Sequence, residues 1–218
     1  MIQEQRIREL LKKAYEPCSE FSGACNGVTK WKPENGHIPR GFCGATGSLA
    51  EVELVLVCAE PGNPHNNESH HGINSVDYLN SAVTYASKCF EAETDTFHEN
   101  IRYILNLCFP NEDFAQQMRR TWITDSVKCS APKECGPVPA RVGRACRAKF
   151  LDHELALFPN ALIVALGKKA ARRLKDYPGV LEVVAAARPF GIRKEAKASW
   201  DAIQTELLKR RSVGAKSL

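Results

Sequence analysis

The strongest indication of the fold is the segment Val52-Glu53-Leu54-Val55-Leu56-Val57-Cys58-Ala59. It is a short apolar run, typical of a strand that is buried on both faces of a parallel sheet. The turn that follows it, Glu60-Pro61-Gly62-Asn63-Pro64, ends the strand. Three later apolar runs predict further strands, at Thr121–Val127, Ala161–Leu166 and Leu181–Ala187.

Helical sequence separates these runs. The predicted helices are Gln3–Tyr15, Val76–Phe90, Phe97–Cys108, Arg141–Phe158, Gly167–Leu174 and Glu195–Lys209. Strands that alternate with helices form parallel sheets with right-handed crossovers. We therefore expect an α/β fold, a three-layer α/β/α sandwich around a four-stranded parallel sheet, with residues 1–218 in one domain. In such sheets the ligand binds at the carboxyl ends of the strands.

The region Pro17–Gly47 has no clear periodicity and reads as irregular structure. So long a stretch is uncommon in a compact domain unless something holds it in place. The N-terminus has no long apolar segment, so we expect a cytoplasmic protein that neither enters nor spans a membrane. The chain has nine cysteines. In a reducing compartment these cysteines are buried small residues or metal ligands rather than disulfides.

The net charge is +5, and basic residues are concentrated between Arg119 and Lys149. This concentration suits a polyanionic partner, although a solvated surface is the more common explanation of such a run.

Three of the strand-end turns, taken in order, carry a family resemblance. They are Cys58-Ala59-Glu60-Pro61-Gly62, then the ITDSVKC block that ends at Cys129, and then Arg188-Pro189-Phe190 ahead of Trp200. Cys146 and the later ALIVALGKKA segment accompany the second block. The set resembles the uracil-DNA glycosylase superfamily and is closest to its iron–sulfur branch. Two of these motifs depart from that family: Arg188-Pro189-Phe190 replaces His-Pro-Ser, and Asp125 replaces an Asn.

The resemblance implies an enzyme that flips a damaged base out of DNA and hydrolyses its N-glycosidic bond. Glu60 would position the attacking water and stabilise the cationic sugar. Asp125 would face the edge of the flipped base, where an ionised carboxylate accepts hydrogen bonds but donates none. Arg188 has three alternatives: it donates to the leaving base, binds a DNA phosphate, or pairs with Asp125 or Glu60.

Other candidate residues surround this pocket. Tyr78 and Phe190 are candidates for stacking on the base, although both residue types are more often core aromatics. Gly167, Lys168 and Lys169 open a helix whose free N–H groups suit a phosphate, and Lys128 is a further candidate for DNA contact. His70 lies in the loop after the first turn, where solvated histidines are the usual case.

The cysteine pattern implies a metal centre. By resemblance to the iron–sulfur branch, Cys18, Cys25, Cys129 and Cys146 would bind a 4Fe-4S cluster, and zinc could use the same four thiolates. The family's first pair is usually closer in sequence than Cys18 and Cys25 are, so Cys43 and Cys135 are possible substitutes.

The resulting prediction is a monomeric DNA-repair glycosylase with DNA as its partner. Two alternatives stay open at this stage. One is a DNA-binding superfamily member without uracil excision, which the changes at Asp125 and Arg188 favour. The other is a metal-stabilised α/β hydrolase with no nucleic-acid role, against which a steep salt dependence of DNA binding would argue.

Overall fold

The fold is a mixed α/β arrangement with helices on both faces of one sheet. The structure, a computed structural model, describes residues 5–131, 133, 136–183, 185–187 and 193–214. Five strands form the sheet: β1 Cys43–Gly44, β2 Leu54–Cys58, β3 Thr121–Asp125, β4 Leu162–Leu166 and β5 Val180–Val183. Their spatial order is β1-β3-β2-β4-β5. β2 to β5 are parallel, as predicted, and the two-residue β1 is an additional antiparallel strand at the edge, on β3.

Alternating side chains of β2 supply two hydrophobic cores, one on each face of the sheet. Val55 and Val57 point into a core that also receives α1 and the cysteine-bearing N-terminal segment. Leu54 and Leu56 point into the opposite core, with the helices of the other layer. This period of two is what a pleated strand imposes, and burial on both faces explains why the run is apolar throughout.

Eight α-helices surround the sheet in the described part of the chain. They are α1 Gln5–Lys12, α2 Ser75–Ala92, α3 Thr96–Cys108, α4 Phe114–Arg120, α5 Ala140–Cys146, α6 Asp152–Leu155, α7 Lys168–Leu174 and α8 Arg193–Gly214. Side-chain oxygens of Asn74 and Asp95 accept hydrogen bonds from the first free N–H groups of α2 and α3, which fixes where these helices begin.

Several predicted boundaries differ from the structure. The helix expected to span Arg141–Phe158 is α5 and α6 joined by a π-helical turn, Arg147–Leu151, which apolar spacing does not reveal. β5 ends at Val183, short of the expected Ala187, and α1 ends at Lys12 rather than Tyr15. Helix α4 was not predicted, because its seven residues are too few to show a period.

Candidate functional site

The candidate site lies at the carboxyl ends of β2 and its two neighbours. The chain passes from β2 to β3 on one side of β2 and then to β4 on the other side. Open α/β sheets bind their ligands in the gap between adjacent parallel strands whose following connections run in opposite directions. The turn after β2 carries Glu60, the end of β3 carries Asp125, and Gly167 leads from β4 into α7. Three of the predicted turns therefore meet at one edge of the sheet.

The Glu60 side chain is 5% exposed, and two cations from α7 hold it. Lys169 Nζ donates to Glu60 Oε1 and also to the Gly136 carbonyl, at 2.7 Å. Arg173 Nη2 lies 2.7 Å from Glu60 Oε2, and Arg173 Nη1 donates to Ala59 O at 2.6 Å. The carboxylate is thus placed at the strand end as predicted, but its charge is compensated by two basic side chains.

Asp125 pairs with Cys58 in the β2–β3 register, two residues before Glu60, and the Glu60 charge acts on it. Burial raises the pKa of the Asp125 carboxyl well above its ordinary range, and the nearby Glu60 charge adds to the effect, against the opposing influence of Lys128, Arg40 and Arg173. A buried carboxyl with a raised pKa holds its proton more readily than a free one.

Gly41 packs directly on the Asp125 carboxylate. A Cβ atom at Gly41 would stand 1.8 Å from Asp125 Oδ2, and the backbone there has φ +85°. Both the close approach and the left-handed backbone require glycine. The position of Asp125 therefore depends on the N-terminal segment as well as on β3.

The helix that starts after Gly167 carries the predicted phosphate-binding residues. A Cβ at Gly167 would come within 2.8 Å of the Ala186 side chain, so this glycine serves close packing of the turn. Lys168 is exposed, whereas Lys169 makes the ion pair with Glu60. The predicted phosphate contact is therefore open to Lys168, whereas Lys169 would first have to leave Glu60.

The prediction that Lys128 contacts DNA is wrong in this structure. Its side chain is 1% exposed, and Nζ lies 2.6 Å from Glu154 Oε1. It also donates to Thr124 Oγ1 at 2.6 Å and to Asp125 O at 2.8 Å. Glu154, which the sequence analysis missed, is fully buried and accepts further bonds from Thr124 and Trp122. A buried lysine without a partner would be very costly, and Glu154 satisfies it.

The basic residues between Arg119 and Lys149 do not form one surface. Arg119 and Arg120 lie at the amino end of β3, opposite the candidate site, and pair with Glu51 and Glu53. The clustering in sequence therefore does not mark a single face for DNA.

All four predicted cysteine ligands line one cavity. Its wall includes Cys18, Cys25, Cys129 and Cys146, together with Pro39 and other largely apolar side chains. The space is small, about 20 Å³, on the order of what one water molecule requires. The cavity lies next to the candidate site, because the loop from Asp125 to Cys129 joins them.

The four thiols are close enough to influence one another electrostatically. Burial raises the pKa of Cys129 well above its ordinary value, with further contributions from Cys146, Cys25 and Cys18. Burial also raises the pKa of Cys146 to about 11, against the opposing effect of Lys128. Two backbone N–H groups point at these sulfurs, from Glu20 to Cys18 Sγ and from Lys128 to Cys146 Sγ, both at 3.4 Å.

The thiols nevertheless do not form a compact ligand group. No three His, Cys, Asp or Glu side chains within the described residues are arranged to hold a metal ion. Cys43, one suggested substitute ligand, lies in β1 and packs in the opposite core, away from the cavity. The other, Cys135, lies outside the described residues.

A buried polar network that the sequence did not predict borders the site. Arg40 is paired with Glu68, with Nε 3.1 Å from Oε1, and Glu68 Oε1 is 3.1 Å from His70 Nε2. The other ring nitrogen of His70 lies 2.9 Å from Ser81 Oγ on α2. Burial would raise the pKa of Glu68, but the His70 hydrogen bond and the Arg40 charge outweigh it and hold the pKa below its ordinary value. His70 is thus buried and bonded rather than solvated.

The remaining predicted residues divide into two groups. Tyr78 packs edge-on against Trp31, with ring centroids 5.5 Å apart, so its ring belongs to the aromatic core beside α1. Arg188 and Phe190 lie outside the described residues, and their predicted roles stay predictions. The described chain approaches them at Ala187, whose carbonyl accepts a hydrogen bond from Asn100 at 2.7 Å.

No protein-family model matches this sequence, and a comparison with curated proteins finds no match. Among the helices of the described residues, none is both long and apolar enough to cross a lipid bilayer.

Proposed function

We propose that this protein is a DNA base-excision glycosylase of the uracil-DNA glycosylase superfamily. The observation that carries the proposal is the meeting of Glu60 and Asp125 at the carboxyl ends of neighbouring parallel strands, both nearly buried. Two acidic groups in a desolvated position are unusual unless they serve chemistry or are fully paired. The family resemblance of the same two turns gives that chemistry a direction.

The proposed reaction is attack by water at the sugar carbon that bears the flipped base. As the bond to the base breaks, positive charge develops on the sugar, and Glu60 stabilises it and orients the water. Asp125 faces the edge of the base, where its raised pKa allows it to donate as well as accept. Lys169, whose side chain is one-third exposed, transfers from Glu60 to a DNA phosphate as the strand binds.

The cysteine cavity is proposed to hold a 4Fe-4S cluster through Cys18, Cys25, Cys129 and Cys146. Four cysteines are the donor set that such a cluster takes, and two of the sulfurs already accept N–H bonds of the kind that tune these centres. A single zinc ion would draw the sulfurs to about 3.8 Å from one another, given its Zn–S bonds. The thiolates of a 4Fe-4S cluster bind separate irons and therefore stand farther apart than those of one zinc ion. Free thiols are consistent with a cytoplasmic location.

A panel of labelled duplexes, each with one altered base, tests this function. We expect an alkali-labile abasic site with at least one of them. Glu60→Gln should lower the excision rate about 100-fold or more, in the range for a positioned acid–base group. Glu51→Gln, at the amino end of the sheet, is the matched control and should leave excision unchanged. Failure to release any base from any duplex would reject the proposal.

A second candidate is a superfamily member that binds DNA without excising a base. The two cations on Glu60 favour it, because a carboxylate that stays paired cannot stabilise a cationic sugar. In that case DNA affinity would fall steeply with salt while no abasic site forms. Salt-independent or absent DNA binding would instead favour the hydrolase alternative.

A further inference from the structure

Three successive residues connect the cysteine cavity to the candidate site. Pro39 lines the cavity, Arg40 bonds to the turn after β2, and Gly41 packs on the Asp125 carboxylate. Tyr15 also holds this segment, because its hydroxyl donates a hydrogen bond to Pro39 O at 2.7 Å. It belongs to the irregular N-terminal region, which also supplies Cys18 and Cys25.

Arg40 makes the central contacts of this segment. Its side chain is almost buried, and Nη2 donates to Gly62 O at 2.5 Å. Nη1 donates to Ser130 Oγ at 2.8 Å, and Ser130 Oγ in turn donates to the same Gly62 carbonyl at 3.0 Å. The backbone N–H of Arg40 donates to Lys128 O at 3.0 Å. One side chain thus bridges the loop that carries Cys129 and the turn that carries Glu60.

The burial of the Arg40 guanidinium costs free energy that its contacts must offset. Desolvation of a charge is costly, and Glu68 compensates only one edge of the planar group. The other donors go to the turn and to the cysteine loop, a fork geometry that lysine cannot reproduce. Surface packing alone would not need such a fixed arrangement of donors.

We propose that the segment Pro39–Gly41 transmits the state of the cysteine centre to the candidate site, with Arg40 positioning the turn 59–62 and Gly41 positioning Asp125. The cavity wall and the site are then one mechanical unit. Filling the cavity fixes Pro39, which fixes Arg40 and Gly41, which in turn place the two acidic residues. The inference rests on the proposed function for the occupant of the cavity and for what the site does once it is placed.

Hydrogen exchange without DNA tests this link independently of catalysis. The amides of Ser126 and Val127 donate to Cys58 O and Ala59 O, at 2.9 and 3.1 Å, so they report whether the turn is held. In Arg40→Gln we expect both amides to exchange about tenfold faster, as for the loss of one hydrogen bond, with β4 amides unchanged. Arg40→Lys should not restore slow exchange. Unchanged exchange at both amides in Arg40→Gln would overturn the proposal.

A double-mutant comparison tests the connection to the cysteines. Cys25→Ser removes one thiol of the cavity and should speed exchange at the same two amides. If the signal passes through Arg40, adding Cys25→Ser to Arg40→Gln should cause little further change. Additive effects would show that the two residues act separately and would overturn the link. Cys89→Ala, a buried thiol on α2 outside the cavity, is the control.

A pair of glycines provides a matched test of the Asp125 contact. Gly41 and Gly27 both have left-handed backbones, at φ +85° and +67°, and both lie in the N-terminal region. A Cβ at Gly41 would collide with Asp125, whereas one at Gly27 would meet nothing within 4 Å. Gly41→Ala should therefore speed exchange at Ser126 and shift the preferred base, while Gly27→Ala should only lower stability. Equal behaviour of the two variants would contradict the proposal.

If the wild type excises no base but the exchange results are as expected, the proposed function alone is rejected and the link between the cavity and the site stands.

Discussion

Replacement of Asp125 by asparagine tests the placement of this residue at the base edge. The side chain is buried beside Glu60, and its carboxyl pKa is raised chiefly by burial. Uracil offers an acceptor at O4, which an ionised carboxylate repels. A buried acceptor facing an acceptor costs roughly 1–3 kcal/mol, about ten- to a hundredfold in rate. The side-chain amide that Asp125→Asn introduces would donate to O4 at every pH, so this variant should excise uracil about ten- to a hundredfold faster than wild type at pH 8.

The raised pKa of Asp125 fixes the direction in which the stability and the uracil excision of wild type change with pH. A carboxyl with a raised pKa in the folded protein binds its proton more tightly than in the unfolded chain. The contribution of Asp125 to the free energy of unfolding is therefore fully present below the pKa of the unfolded carboxyl and is lost as the pH rises through the pKa of the folded one. Uracil excision by wild type should decline over the same rise, because the protonated form is lost. Asp125→Asn should remove both effects.

The assay is single-turnover excision from a uracil-containing duplex between pH 5 and 9, paired with urea unfolding at the same pH values. DNA affinity should change little, because phosphate contacts supply most of it. Asp152→Asn, which alters a surface ion pair with Arg147, is the control. Brisk uracil excision by wild type at pH 8, with no gain in Asp125→Asn, would refute the placement of Asp125 at the base edge.

Three further predictions concern the cofactor and the buried charges. Cys129→Ser should lose iron and the broad absorption near ~400 nm of anaerobically purified protein, whereas Cys89→Ala should keep both; colourless, iron-free wild type would contradict this. Lys128→Met should lower the free energy of unfolding by about 3–5 kcal/mol, because it leaves Glu154 buried and unpaired, and adding Glu154→Leu should recover most of the loss in urea titrations. Glu68 has a lowered pKa, so its contribution to stability is present above the pKa of the unfolded carboxyl and is lost as the pH falls through the folded value. Glu68→Gln should therefore be less stable than wild type at pH 7, and the difference should shrink toward pH 3; a constant difference would argue against a charged role.

Local pattern was sufficient to predict the parallel sheet. The four apolar runs carry their own signal, because a strand covered on both faces must be apolar along its whole length. The carboxyl-end rule then brought Glu60, Asp125 and Gly167 to one edge without any knowledge of contacts. The convergence of Cys18, Cys25, Cys129 and Cys146 on one cavity was expected from resemblance, and their shared cavity agrees with it.

The partners of the charged residues could be known only from the tertiary structure. The sequence around Lys128 is typical of a surface lysine and does not predict its partner Glu154, which is 26 residues away. The same holds for the cations on Glu60, which come from α7, and for Arg40, whose partners lie in two distant loops. Apolar periodicity encodes which face of an element is buried, because burial acts on each residue individually. Charge pairing depends on which distant segments meet, and that is fixed only when the helices and loops pack around the sheet.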